Sequence, residues 1–127
     1  MPYPDFEQSL RCLDYRRLGK QRVEAAMMIR GGWANHPASR MWRGFETALR
    51  LYANLSICIW IERGYKNTME LWPLKGQVIM PPWFGNEAFH ASHRSNLLRK
   101  NPEWYGQFDW QEPDDLPYIW PVKKGKS

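Results

Sequence analysis

The stretch NHPASRMWRGFETALRLYANLSICIWIERG, residues 35–64, decides the fold. Pro37 suits the first turn of a helix, where its missing N–H costs nothing, and Asn35 or His36 stands before it as a cap. Met41, Phe45, Ala48, Tyr52, Leu55 and Ile59 then recur every three or four residues, the spacing of one helical face. Leu51, Ile57, Cys58 and Ile61 add a second apolar flank, so the helix is expected to be covered on more than one side. Gly64 supplies the stop. The pattern predicts one helix of about 27 residues, about 40 Å long, enough to span a small domain.

Two further helical segments flank this one. Upstream, Asp5 followed by Gln8 resembles a capping box, and Phe6, Leu10 and Leu13 follow at helical spacing. The periodicity slips near Gly19 and resumes at Val23, Ala26 and Met27, which predicts a kink or short break within residues 16–20. Gly31-Gly32 ends the segment. Downstream, Pro73, Gly76, Pro81, Pro82 and Gly85 punctuate residues 65–85, where only residues 77–80 read as a short extended piece. A third helix is expected from Glu87 to Lys100 with Asn86 as cap, and Pro102 opens a turn carrying Trp104 and Tyr105. Residues 109–127 read as an irregular tail broken by Pro113, Pro117 and Pro121. Trp110, Tyr118, Ile119 and Trp120 would anchor it, and Lys123–Ser127 would fray. The expectation is one all-α domain over residues 1–127, built on three helices with long loops.

Composition narrows the function. No run of about 18 apolar residues occurs, so no membrane-spanning helix is encoded, and residues 1–5 lack a secretory pattern. The expected location is cytoplasmic. Cys12 and Cys58 fit two buried thiols in a reducing compartment; a disulfide or catalytic thiol is the alternative, without a redox motif to support it. The net charge is +5, and nine of the cations lie between Arg11 and Arg50 against Asp14, Glu24 and Glu46. Eight of the nine are arginine, whose forked donors match phosphate, so a polyanion is a natural partner; a solvated basic face is the bland alternative. Asp109, Glu112, Asp114 and Asp115 form an acidic patch that could not face a phosphate backbone comfortably.

Several residues are candidates for chemistry. Glu24 stands among Arg16, Arg17, Lys20 and Arg22, which favour its charged form; it is either an ion-paired helix residue or a catalytic carboxylate. Pro2 follows the initiator methionine, which is normally removed before a small residue. A terminal secondary amine would remain, more often neutral at pH 7 than a lysine and able to attack a sugar C1′ as an iminium-forming nucleophile. It is otherwise a plain processed terminus. His90 and His93 sit one turn apart on the third helix, yet no carboxylate or cysteine completes a ligand set with them and His36, so no metal is expected. The candidate phosphate contacts in the first half are Arg16, Arg17, Lys20, Arg22, His36, Arg40 and Arg43. In the second half the candidates are His90, His93, Arg94, Arg99 and Lys100. Trp104 and Tyr105 are candidates to stack on bases, against core packing as the alternative.

Three stretches carry a family resemblance. They are Leu13-Asp14 with Leu18 and Gln21-Arg22-Val23-Glu24; Asn35-His36-Pro37 through Glu62-Arg63-Gly64-Tyr65; and His90-Ala91-Ser92-His93-Arg94 with Leu97-Leu98-Arg99-Lys100 and Pro102-Glu103-Trp104-Tyr105. In this order the chain resembles the pyrimidine-dimer DNA glycosylases, the phage endonuclease V-like family, and within it a short bacterial and phage subgroup. The resemblance implies a compact all-α fold on three helices and a bifunctional activity without cofactor: base excision, then cleavage at the abasic site. It implies the amino-terminal amine as nucleophile, at Pro2, and a catalytic glutamate about twenty residues on, at Glu24. Lys20 and Arg22 would bind phosphates, with Trp104 and Tyr105 near the lesion. Val23 stands where the family has arginine, and the proline-rich tail is an addition. The expected partner is double-stranded DNA, met by a monomer. The alternatives are a non-catalytic DNA-binding module of this fold and an enzyme of this fold acting on a modified base in phage DNA.

Overall fold

The computed structural model describes residues 1–32 and 35–120. Among the described residues the protein is all-α: six helices, one 3₁₀ turn at Gly106–Phe108, and no strand. The helices are α1 (Phe6–Arg11), α2 (Tyr15–Ile29), α3 (Pro37–Trp42), α4 (Glu46–Glu62), α5 (Glu87–Lys100) and α6 (Pro102–Tyr105). The three longest, α2, α4 and α5, occupy the three helical segments expected from the periodicity. The chain forms two compact units, one of Leu13–Pro81 and one of Met1–Cys12 with the residues from Pro82 onward.

In the Leu13–Pro81 unit, α2 packs on α4. Leu18, Ala25 and Ala26 of α2 are buried, as are Ala48, Leu49, Tyr52, Ala53, Ile57, Ile59 and Trp60 of α4. Each fully buried large side chain contributes roughly 1.5–3 kcal/mol. The break expected within residues 16–20 does not exist; α2 runs through it, and the interruption lies at residues 12–14, ahead of the Asp14 cap. Gly19 has a different purpose. A Cβ there would meet two ring carbons of Trp60 at 3.1 Å, so its small size lets α2 approach α4.

The long helix of residues 37–63 is also two helices. The chain turns at Gly44, whose φ of 88° lies in the left-handed region, and α4 restarts after Phe45 with 17 residues. Phe45 N–H donates to the Trp42 carbonyl at 2.8 Å and Gly44 N–H to Glu46 Oε2 at 2.7 Å, so the break satisfies its own backbone groups. Apolar spacing continues across the turn, which is why periodicity alone joined the two. The second flank of α4 is only partly covered: Ile57 is buried, whereas Ile61 is 52% exposed and Cys58 is exposed too. Of the two thiols expected to be buried, only Cys12 is.

After α4 the chain returns along it without regular structure. Thr47, Arg50 and Asn54, on successive turns of α4, receive its backbone. Asn54 Oδ1 accepts from Trp72 N–H at 2.7 Å and its Nδ2 donates to the Trp72 carbonyl at 2.9 Å. Arg50 Nη1 donates to the Pro73 carbonyl at 2.9 Å and Thr47 Oγ1 to that of Lys75 at 2.7 Å. Side chains thus do for this segment what a strand partner does in a sheet. The extended piece expected at residues 77–80 forms no strand.

In the other unit, Asp5 caps α1 through the Gln8 N–H at 2.8 Å, and Asn86 caps α5 through the Phe89 N–H at 3.1 Å. Both caps fall where the sequence placed them. The tail is irregular and pinned to α5 by two buried serines. Ser95 Oγ donates to the Pro113 carbonyl at 2.5 Å and accepts from Leu116 N–H at 2.9 Å, and Ser92 Oγ accepts from Ile119 N–H at 3.3 Å. Trp110 stacks on Tyr105 with centroids 5.7 Å apart and donates from Nε1 to the Tyr3 hydroxyl at 2.7 Å. Pro121 and the fraying expected of Lys123–Ser127 lie outside the described residues.

Candidate functional site

Helical spacing puts positions 17, 20, 21 and 24 on one face of α2. Lys20 is exposed; Arg17, Gln21 and Glu24 are half-buried. Gln21 joins two neighbours, its Oε1 accepting from the Tyr52 hydroxyl at 2.6 Å and its Nε2 donating to Glu24 Oε1 at 3.4 Å. A carboxylate offers about four acceptor positions. Glu24 therefore keeps most of its acceptor capacity for an incoming group. Arg16 is exposed on the same helix, as a phosphate contact must be.

Arg22 is different. Its Nη1 donates to Asn67 Oδ1 at 2.8 Å, its guanidinium lies over the Trp60 ring at 4.7 Å, and its Nε is buried without a hydrogen-bond partner. A side chain so engaged is a brace between α2 and the return segment, and binding phosphate would mean giving up those contacts. His36 caps α3, its Nδ1 accepting from Ala38 N–H at 3.0 Å, while its ring is exposed. Arg40 is half-buried. Arg43 is exposed and, with Arg50, Glu46, Trp42, Gly31 and Gly32, lines a cavity of about 210 Å³.

In the unit that holds α5, the start of the chain is gripped by three side chains of that helix. The Met1 amine contacts His93 Nδ1. The Met1 carbonyl lies 2.7 Å from His90 Nδ1, and the Pro2 carbonyl accepts from Arg94 Nη1 at 2.8 Å. His90 is fully buried, and its Nε2 accepts from Gly85 N–H at 2.9 Å. A backbone N–H can only donate, so Nε2 is bare and the ring proton sits on Nδ1, donating to the Met1 carbonyl. Burial pushes His90 below the usual histidine range, and pushes His93 and the terminal amine well below theirs.

His90 and Arg94, expected at a phosphate-facing surface, point inward. Arg94 is 8% exposed and bonds Glu87 and, at 2.8 Å, Glu112. Burial opposes its charge, and the two carboxylates more than restore it. The acidic patch of the tail thus has one structural use that its composition did not reveal, since Glu112 answers a cation 18 residues back. Glu87 lies two turns before Arg94 on the same helix, a spacing that could have suggested the pair. Arg99 is exposed, reaching the Asp114 carbonyl at 3.2 Å and Asn96 Oδ1 at 2.7 Å, and Lys100 is exposed. Trp104 is 38% exposed, with its Nε1 donating to the Cys12 carbonyl at 2.7 Å, so part of its ring is open to stacking. Tyr105 is 1% exposed and belongs to the core. Pro2 is buried.

Among the described residues, no three His, Cys, Asp or Glu side chains gather as a metal site would require, and no helix is long and apolar enough to cross a membrane. In comparison with known families, the model described as pyrimidine dimer DNA glycosylase matches residues 1–73. That stretch contains Pro2, α1 through α4, and Glu24. No curated protein matches the chain, and no solved structure does.

Proposed function

The chain belongs to the pyrimidine dimer DNA glycosylase family, whose role is that of a DNA glycosylase, and we propose that it excises a damaged pyrimidine from double-stranded DNA and then cleaves the strand. The nucleophile in this reading is the amine of Pro2, exposed once Met1 is removed. Its lone pair attacks C1′ as the glycosidic bond breaks, and the base leaves with that electron pair. Loss of the nitrogen's proton and opening of the sugar ring yield an iminium ion. Glu24 assists base departure and then takes a proton from C2′, so that the 3′ phosphate leaves by β-elimination. No metal or organic cofactor enters these steps. Arg16, Arg17 and Lys20 hold the phosphates, and flipping the damaged nucleotide costs a few kcal/mol, less at a lesion than at an intact pair.

One observation carries the reading. The family match spans both Pro2 and Glu24, and Glu24 shares its helix face with Arg17 and Lys20 while making, among the described residues, one long hydrogen bond. A DNA-binding module without catalysis is favoured by a different feature, the burial of Pro2. Borohydride separates the two. With a duplex holding one abasic site, the enzyme should be trapped as a covalent adduct whose linkage maps to Pro2. Absence of any adduct, from protein whose first residue is shown by mass spectrometry to be Pro2, would leave the binding module.

A further inference from the structure

The peptide bond between Met1 and Pro2 has a shape that bears on the chemistry. Pro2 nitrogen is joined to a carbon, and that carbon carries an oxygen held by His90 Nδ1–H at 2.7 Å. In the adduct of the proposed reaction, Pro2 nitrogen is likewise joined to a carbon, C1′, that bears an oxygen. For a lesion sugar this is the ring oxygen O4′, and for the open form of an abasic site it is the aldehyde oxygen. The Met1 carbonyl thus has the same N–C–O connectivity to Pro2 nitrogen as the reacting unit would have. Met1 is only half-buried, so the space it fills reaches the surface once it is gone.

We propose that His90 is a catalytic residue that donates a fixed hydrogen bond from Nδ1 to the oxygen on C1′ as negative charge develops there. The inference rests on the reading of Pro2 as nucleophile and deepens it. Three features make His90 suited to the role. Its tautomer is locked by Gly85 N–H on Nε2, so the donor needs no rearrangement when charge appears. It is fully buried between Phe84 and Phe89, where a hydrogen bond to a developing charge is strong. Its present partner is already an oxygen one carbon away from Pro2 nitrogen.

His93 completes the proton path. Its Nδ1 contacts the Met1 amine, with the Tyr118 hydroxyl 3.5 Å away, and its Nε2 is buried with no hydrogen-bond partner among the described residues. With Met1 removed, Nδ1 is left facing the space that the Met1 amine filled. After that nitrogen bonds C1′ and the base leaves, His93 Nδ1 takes the proton the nitrogen sheds. The nitrogen lone pair then forms C1′=N⁺ as the C1′–O4′ bond breaks toward oxygen. The proton passes from His93 to O4′, and His90 keeps its own proton throughout.

The test uses purified protein with Pro2 verified as its first residue and a duplex bearing one abasic site. Single-turnover borohydride trapping is compared for the parent, His90→Phe and His90→Asn. Phenylalanine fills the space without a donor, and its trapping rate should fall about 100-fold. Asparagine places an amide donor near the position of Nδ1 and should keep the rate within about tenfold. A Phe variant that folds and traps at the parental rate overturns the role of His90 while leaving Pro2 as nucleophile. No adduct with the parent overturns the Pro2 reading itself. Because the Phe variant could fail to fold, ¹⁵N NMR of the parent gives a second measurement. His90 should hold the neutral Nδ1–H form both free and in the reduced adduct, and an Nε2–H form in the adduct overturns the proposal.

Discussion

The guanidinium of Arg22 lies 4.7 Å from the centre of the Trp60 ring and ties α2 to α4. Trp60 is in turn stacked on Tyr15 at 5.3 Å and tilted against Tyr65 at 4.5 Å, and its Nε1 donates to the Lys66 carbonyl at 2.8 Å. One indole therefore organises α2, the end of α4 and the start of the return segment.

Removing the cation should loosen this arrangement. A partly desolvated cation–π contact contributes up to about 2 kcal/mol, and a charged hydrogen bond about 1.5–3 kcal/mol. Arg22→Ala is expected to destabilise the fold by about 2 kcal/mol in urea unfolding. Arg22→Lys should recover less than half, because an ammonium cannot lie flat on the ring while reaching Asn67. An Ala variant as stable as the parent would return Arg22 to the set of free phosphate contacts.

Gly19→Ala sets two effects against each other. Helix propensity favours alanine by about 1 kcal/mol, while overpacking costs about 1–3 kcal/mol. The new Cβ would lie 3.1 Å from two Trp60 ring carbons. Trp60 is fixed by Tyr15, Tyr65, Arg22 and the Lys66 carbonyl and has little room to yield. A net loss of about 1 kcal/mol is expected, seen as a lower urea midpoint. A raised midpoint would mean that the indole moves freely.

Acid should weaken the unit that holds the chain start. Burial first, and neighbouring positive charge second, keep His93 well below its ordinary value of 6.5; burial keeps the amine well below 8.0 and also lowers His90. The unfolded chain therefore binds more protons than the folded one below these ordinary values. Stability is full above about pH 8. It is expected to fall as pH drops through 8 and again through 6.5. Glu112, held below its ordinary 4.5 chiefly by the Arg94 hydrogen bond, adds stability that is present above that pH and lost beneath it. Urea midpoints from pH 8 to 4 would read this out, and a flat profile between pH 8 and 5 contradicts the neutral histidines.

Glu24→Gln should keep the shape of the side chain and remove its basicity. Strand cleavage is expected to drop about 10²–10⁴-fold, the usual contribution of a positioned acid or base. Duplex affinity, measured by fluorescence anisotropy, should change less than about threefold, since phosphate contacts and not this carboxylate carry binding. Cleavage at the parental rate would remove Glu24 from the mechanism.

The sequence showed where helices lie better than where they break. Asn86 and Asp5 were legible as caps because a cap is a local signal, one side chain meeting an N–H three residues on. Gly44 and Gly19 were not legible in this way. Apolar spacing runs on across Gly44, which turns the chain with a positive φ, and slips near Gly19, which instead admits a tryptophan from α4, a partner 41 residues away in sequence. Charge misled for a related reason. Arg94 and Arg22 looked like surface cations, and their partners Glu112 and Asn67 lie 18 and 45 residues away. Lys20 and Arg16, with no such distant partner among the described hydrogen bonds, are exposed as the composition suggested. For Trp104-Tyr105 the two readings divide between the residues, one ring partly open and the other in the core.

The unequal exposure of the two thiols gives a practical handle. Cys12 is sealed and Cys58 stands open on α4. A maleimide dye applied to the native chain should attach at one position, with no substitution needed. Fluorescence from that position, read against a dye on an oligonucleotide, would report the distance between α4 and a chosen nucleotide in solution.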